Sequence, residues 1–176
     1  MRVRTGVIIV FCMGCMFAAC SGNAGEMPED FSLSFAWNTG SLPPKHRYEY
    51  VITIGPGEQG ELDYTSGYGG PEDANRWTAP FSLTEQEMAS LFQYLQVENM
   101  IRSNWNTGRG LIGGSTTSLI IQAYGKEYRV PSISELEDND RSTAESAMDV
   151  IRGYVPESIW NEMEERQRMF EANYQD

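Results

Sequence analysis

The chain contains one histidine, His46, and most hydrolytic or metal chemistry would need this side chain. It lies between Lys45 and Arg47 in the segment Pro-Pro-Lys-His-Arg, which is typical of a turn. A Ser-His-Asp triad or a histidine metal site would have to use it. Nothing in the sequence places a nucleophile or a second ligand beside it. We therefore expect His46 to be a solvent-facing turn residue, and we predict no catalytic residue in this chain.

A glycine-rich segment, residues 108–116, partly matches a phosphate-binding loop. Its sequence, GRGLIGGST, places Gly114 where that loop requires a lysine. The segment is also predicted to run from a helix into a strand, whereas phosphate binding requires a strand that leads into a helix N-terminus. The sequence therefore predicts no nucleotide cofactor.

Four acidic residues crowd one predicted connection: Glu135, Glu137, Asp138 and Asp140. Their oxygens could hold calcium, but the glycine and the closing glutamate of a calcium-binding loop are absent. We expect a solvated, charged loop and no metal site. The 25 acidic residues of the chain allow many other carboxylate pairs, so glycan hydrolysis by two carboxylates stays open as an alternative.

Two predicted loops, residues 63–77 and 103–114, are rich in residue types that form contact surfaces. Tyrosine, tryptophan and arginine stand there among serine, glycine and asparagine, a composition typical of binding loops. Aromatic faces can also stack on sugar rings. The alternative is that the tryptophans close over the edges of the core. The candidate ligand-binding residues are Tyr68, Trp77, Trp105 and Arg109.

The N-terminus has the layout of a secretory signal. Arg2 and Arg4 precede an uncharged, largely apolar run of 14 residues at positions 6–19. A helix that spans a bilayer needs about 20 apolar residues. The run is therefore predicted to be a cleaved leader and not a permanent membrane span.

The leader ends in FAAC, residues 17–20, which resembles the lipobox of bacterial lipoproteins: a bulky apolar residue, two small residues and a cysteine. Phe17 stands where that family usually carries leucine. The resemblance implies cleavage before Cys20, diacylation of that cysteine and a protein anchored by lipid in the cell envelope. In a Gram-negative host, Ser21 at the next position implies the outer membrane. Residues 20–30 would then form a lipidated tether.

Removal of residues 1–19 would leave 11 basic and 25 acidic residues, a net charge of −14. This charge argues against nucleic acid as a partner. The cysteines are Cys12, Cys15 and Cys20 only, so the mature domain is expected to have no disulfide and no thiolate metal site.

The sequence favours a non-catalytic envelope lipoprotein that binds a protein or a glycan. An envelope glycan hydrolase and an acidic inhibitor protein are the alternatives.

Residues 31–176 are expected to form one domain. Apolar residues alternate over 31–37 and over a hairpin at 47–66, and a second hairpin is predicted over 119–130 with its turn at Gly125-Lys126. Thr84 and Glu87 form a capping box at the start of a helix, a second helix is predicted from Ser142, and a third follows Pro156.

This order of elements predicts an α+β fold: an antiparallel sheet of about five strands with two to three helices packed on one face. The same order over residues 31–152 is similar to small bacterial envelope proteins of unknown function. That resemblance implies no activity, because a fold by itself does not specify chemistry.

Overall fold

The computed structural model describes residues 26–69, 75–110 and 113–175. The predicted leader, Cys20 and the first part of the predicted tether lie outside the described residues. Two residues of the glycine-rich segment, 111 and 112, lie outside them as well.

The fold is α+β, as predicted, and is built on a six-stranded antiparallel sheet with three helices. The order of the strands across the sheet is β4-β3-β2-β1-β5-β6. The first four strands form a meander, and the last two form a hairpin beside β1. The strands are β1 Ser32–Asn38, β2 Tyr48–Ile54, β3 Gln59–Ser66, β4 Arg76–Ser82, β5 Thr116–Ala123 and β6 Lys126–Val130.

Strand β4 is the strand that the sequence pattern did not predict, because its residues were assigned to a loop. Trp77, Ala79 and Phe81 alternate with polar residues and point toward the core. Pro80 obscured this pattern, since proline cannot donate a hydrogen bond inside a sheet. The structure accommodates Pro80 because β4 is an edge strand.

The core lies on one face of the sheet. Phe35 is buried and is paired with Ile52 on one side and Leu119 on the other, both fully buried. The next row of the register, which contains Ala36 and Val51, faces away from this core and is only half-buried. Alternate residues of a strand point to opposite faces, so the helices cover one face and leave the other to solvent.

Three helices complete the described part of the fold: α1 Glu85–Val97, α2 Asp138–Gly153 and α3 Glu157–Asn173. The capping box of α1 is confirmed, since Thr84 Oγ1 accepts a hydrogen bond from the Glu87 backbone and the Glu87 carboxylate accepts one from the Thr84 backbone. The predicted start of α2 at Ser142 is wrong. The helix begins four residues earlier because acidic residues in a first turn are stabilised by the helix dipole.

The end of the predicted tether is fastened at one end of the sheet. Tyr124 and Gly125 form the β5–β6 turn, both with positive φ, one residue earlier than predicted. The carboxylate of Asp30 accepts hydrogen bonds from both of their backbone N–H groups, at 3.0 and 2.6 Å. The chain therefore enters the domain beside this turn, which we call the tether end.

Candidate functional site

A groove of about 430 Å³ lies between the ends of β3 and β4 and the C-terminal half of α3. We call it the α3 groove. This volume is within the usual range of small-molecule sites, about 300 to 1,000 Å³. Aromatic rings, amide side chains and the Arg166 guanidinium group line it. The lining residues are Tyr64, Ser66, Asn75, Arg76, Trp77, Arg166, Met169, Phe170, Asn173, Tyr174 and Gln175.

The sheet register positions the aromatic side chains of the groove. Trp77 of β4 pairs with Tyr64 of β3, which in turn pairs with Tyr50 of β2 and through it with Trp37 of β1. Trp37 and Tyr50 stack with their ring centroids 5.3 Å apart. A row of four aromatic residues therefore crosses the core face, and its β3 and β4 members, Tyr64 and Trp77, line the groove.

Helix α3 supplies the opposite wall. Arg166, Phe170 and Tyr174 are spaced four residues apart and so share one face of the helix. The Arg166 guanidinium lies 4.7 Å from the centre of the Trp77 ring, in a cation–π arrangement that joins the two walls. The Phe170 and Tyr174 rings meet edge to face at 5.5 Å.

A glycine allows this helix to approach the sheet. Gly67 has φ +74°, and a Cβ at this position would lie 3.1 Å from the Phe170 ring. Any side chain here would strain the backbone and push Phe170 away. The identity of Gly67 thus fixes the depth at which Phe170 sits beside the groove.

The floor of the groove is a buried polar network. The Tyr64 hydroxyl group, 1% exposed, donates a short hydrogen bond to Gln167 Oε1 and is 2.8 Å from Ser66 Oγ. Burial raises the pKa of Tyr64 to about 12, and the bond to Ser66 only partly offsets this. Tyr64 therefore remains a neutral hydrogen-bond donor at physiological pH and holds α3 against β3.

The same network extends to the histidine. Gln167 Nε2 donates to the Glu171 carboxylate at 2.9 Å and to the Lys45 carbonyl at 3.3 Å. Glu171 Oε1 also lies 3.3 Å from His46 Nδ1. The hydrogen bond from Gln167, and then the one from His46, lower the pKa of Glu171. His46 lies, as expected, in an exposed turn, with 53% of its side chain exposed, where it helps to anchor α3.

The charges of the groove contrast with those of the chain. The Arg166 guanidinium lies over the Trp77 ring, whereas the side chain of Arg76, the neighbour of Trp77 on β4, points to the opposite face of the sheet. None of the lining residues in the described part of the chain is acidic. Each arginine has a carboxylate partner outside the groove: Asp63 is 3.0 Å from Arg76, and Glu162 is 2.7 Å from Arg166. Arg166 thus supplies a positive group to the groove, on a chain with a formal charge of −12.

Tyr68 lies near the groove but does not line it. Its ring is 58% exposed and is covered on one side by the Arg47 guanidinium at 4.5 Å. Its hydroxyl group donates to the Leu42 carbonyl at 2.8 Å. Arg47 also donates a hydrogen bond to the Gly67 carbonyl at 2.8 Å, and Gly67 lies beside Phe170 of α3. Tyr68 therefore belongs to the segment that packs beside the C-terminal half of α3.

The other two candidate residues lie elsewhere. Trp105 is half-buried against Arg102, whose guanidinium lies 4.0 Å from the ring centre, beside the N-terminus of α2. Arg109 is exposed and lines a separate, polar depression of about 510 Å³ with the acidic first turn of α2. This region is joined to β5 through the bond from the Ile133 N–H to Thr117, on the far side of the sheet from β4. The structure therefore does not combine the four candidate residues in one site.

Sequence reasoning missed the α3 wall of the groove. The signal was present as arginine and aromatic residues at i, i+4 and i+8, which mark a single helix face. Nothing in the sequence connected that face to Trp77, some ninety positions earlier, because the contact depends on how α3 returns across the sheet.

Two general properties complete the description. Among the described residues, no group of three or more histidine, cysteine, aspartate or glutamate side chains could hold a metal ion. No described helix combines the length and the apolar character needed to cross a membrane.

No protein-family model matches the chain, and no curated protein matches it in sequence.

Proposed function

We propose that this protein is a lipid-anchored, non-catalytic module of the cell envelope that binds a protein or a glycan in the α3 groove. The observation that carries the proposal is the groove itself. It has the size of a ligand site, aromatic rings on both walls, and amide and guanidinium groups at its rim. A solvated surface would not need this concentration of rings and donors.

The position of the groove suits a tethered protein. Strand β1 begins at Ser32, beside the tether end, and five residues later reaches Trp37, which is in register with the Trp77 row. At about 3.3 Å per residue, these two rows are roughly 17 Å apart. With lipid on Cys20, this separation would keep the groove apart from the point where the chain leaves for the membrane.

The groove itself offers no support for the hydrolase alternative. Glycosidases of the usual kind place two carboxylates on either side of the scissile bond. The described lining residues include no aspartate and no glutamate. The groove is therefore assigned to binding, with Trp77 and Arg166 as its central pair.

The anchor is tested by intact-mass spectrometry of the protein from its native membranes, beside a Cys20→Ala variant. We expect a mass that lacks residues 1–19 and includes acyl chains, and we expect the variant to be unprocessed or soluble. An unmodified mature chain would contradict the anchor.

Binding is tested with a charge-matched pair of surface variants. Met169 lines the groove and is 49% exposed, whereas Val97 at the end of α1 is 71% exposed and lies outside the groove. The lipidated protein in detergent is sedimented with isolated cell walls and, separately, cross-linked to washed envelope proteins. Met169→Glu should abolish binding to one of these fractions, and Val97→Glu should retain it. Equal binding by both variants, or no binding by the unaltered protein, would reject the groove as the binding site.

A further inference from the structure

The charge of the α3 groove indicates the charge of its ligand. The Arg166 guanidinium lies over the Trp77 ring of the groove, and none of the described lining residues is a carboxylate, on a chain with 25 acidic residues. Fields of the same sign repel a ligand and fields of opposite sign attract it. On this acidic protein, Arg166 gives an anionic ligand a positive group to approach in the groove.

Arg166 is placed to receive a carboxylate. Its bonds to Glu162 Oε1, at 2.7 and 3.2 Å, use Nη2 and Nε. The guanidinium group has five N–H donors, and among the described residues none bonds its Nη1, which can therefore meet a ligand beside the Trp77 ring. Arginine binds carboxylates with strong, directional hydrogen bonds.

The remaining groups of the groove suit sugar rings. The Trp77, Phe170 and Tyr174 rings offer apolar faces on which the C–H face of a pyranose can stack. The exposed amide side chains of Asn75 and Asn173 can each donate and accept hydrogen bonds, which matches hydroxyl groups.

From this arrangement we infer that the α3 groove binds a carboxylate-bearing glycan, a chain of sugar rings with uronic-acid-type acidic groups. The inference rests on the proposed function and specifies its ligand class. The carboxylate of the ligand binds Arg166, one of its sugar rings stacks on the aromatic walls, and the amide side chains form hydrogen bonds with its hydroxyl groups.

A peptide suits the groove less well. Peptides that bind beside a sheet commonly add a strand and pair with backbone groups at its edge. The adjacent edge strand β4 carries Pro80, which has no N–H to offer.

The test is isothermal titration of the lipidated protein in detergent with three probes: an oligogalacturonate, its fully methyl-esterified form, and an acidic, tyrosine-containing peptide. The oligogalacturonate is expected to bind at least about tenfold more tightly than the ester, since a hydrogen bond to a charged group contributes at least that factor. Binding of the two saccharides with equal affinity, or binding of the peptide alone, would overturn the inference.

A matched pair of arginine variants assigns the binding to the groove. Arg168 is also on α3 and is paired with Glu165 at 2.8 Å, but it does not line the groove. Arg166→Gln should weaken oligogalacturonate binding about tenfold, while Arg168→Gln should change it less than twofold. An equal loss in both variants would indicate nonspecific charge attraction and overturn the inference. Thermal melting of each variant verifies that it is folded.

The inference and the proposed function fail in different ways. If oligogalacturonate does not bind while Met169→Glu still abolishes binding to an envelope fraction, the glycan class is wrong and the groove remains a binding site. If the unaltered protein binds neither the saccharide nor any envelope fraction, the proposed function fails as well.

Discussion

The described structure contains three arginine–tryptophan pairs, and two of them, in different regions of the molecule, use the pair differently. Arg102 covers Trp105 at 4.0 Å beside the start of α2, and Arg166 covers Trp77 at 4.7 Å in the α3 groove. The side chain of Arg102 is 19% exposed and that of its partner Asp140 is 11% exposed. In the groove, the corresponding exposures are 39% for Arg166 and 51% for Glu162.

The difference shows that an arginine–tryptophan pair can be a closed anchor, which is shielded from solvent and stabilises the fold, or can stay exposed and form the wall of a ligand site. Around Trp105, Asp140 accepts hydrogen bonds from Arg102 at 2.7 Å and from the Asn106 backbone at 2.8 Å, which ties the loop to the first turn of α2. At the Trp77 pair, Glu162 bonds Arg166 within one turn of α3, and both of these side chains are more exposed. The first pair stabilises the fold, and the second is left accessible to a ligand.

The largest effect is expected from Asp140→Asn. The substitution removes the charge that compensates a partly buried Arg102 and weakens the bond to Asn106. Breaking such a pair should lower the free energy of unfolding by about 3 kcal/mol, measured by urea denaturation at pH 7. A change within about 0.5 kcal/mol would mean that the Arg102–Trp105 region is not the closed anchor described above.

A matched pair of tryptophan variants sharpens the comparison. Trp105→Leu should lower the free energy of unfolding by about 2 kcal/mol, because Trp105 fills space between the loop and α2. Trp77→Leu at the sheet edge should lower it by less than about 1 kcal/mol but abolish ligand binding. Urea denaturation and titration with oligogalacturonate measure the two properties. The opposite ranking in stability would reverse the roles assigned to the two regions.

The closed region should also be sensitive to acid. The Asn106 backbone N–H, and then the Arg102 side chain, hold the pKa of Asp140 below its ordinary value of 3.8. A lowered folded-state pKa contributes stability that is present above the unfolded-state pKa and is lost as the pH falls through the folded-state pKa. The difference in unfolding free energy between the unaltered protein and Asp140→Asn should be constant from pH 7 to about pH 5 and shrink below about pH 4. A pH-independent difference would contradict this account.

The smallest effect on stability is expected in the groove. Arg166→Gln removes an exposed pair with Glu162, and such pairs contribute about 0 to 0.5 kcal/mol. Thermal melting should therefore change little even though binding weakens. A large drop in melting temperature would show that Arg166 has a structural role.

Much of the fold could be predicted from local pattern. The α1 capping box needs only Thr84 and Glu87, three residues apart, and the structure confirms it. Strand β4 was missed because Pro80 contradicts a central strand, and only the sheet order shows that β4 is an edge. The start of α2 was missed because acidic residues that favour a helix N-terminus also resemble a solvated loop.

The site was less predictable than the fold. Loop composition selected Trp77, which lines the groove, and also Trp105, which packs beside α2. The two tryptophans have similar sequence surroundings, so composition could not separate them. The Arg166 contact arises from α3 returning across β3 and β4, a long-range arrangement that no local pattern encodes.

The most direct test of the central claim is site-specific photo-cross-linking in intact cells. The photoreactive residue p-benzoylphenylalanine replaces Met169 in the groove or, as the control, Val97 outside it, and adducts are resolved by gel mobility and mass spectrometry. If the α3 groove is the binding site of an envelope module, Met169→p-benzoylphenylalanine will yield a discrete adduct with an envelope component, and the Val97 control will not. Adducts of equal yield from both positions, or none from position 169, would contradict the assignment of the groove as the binding site.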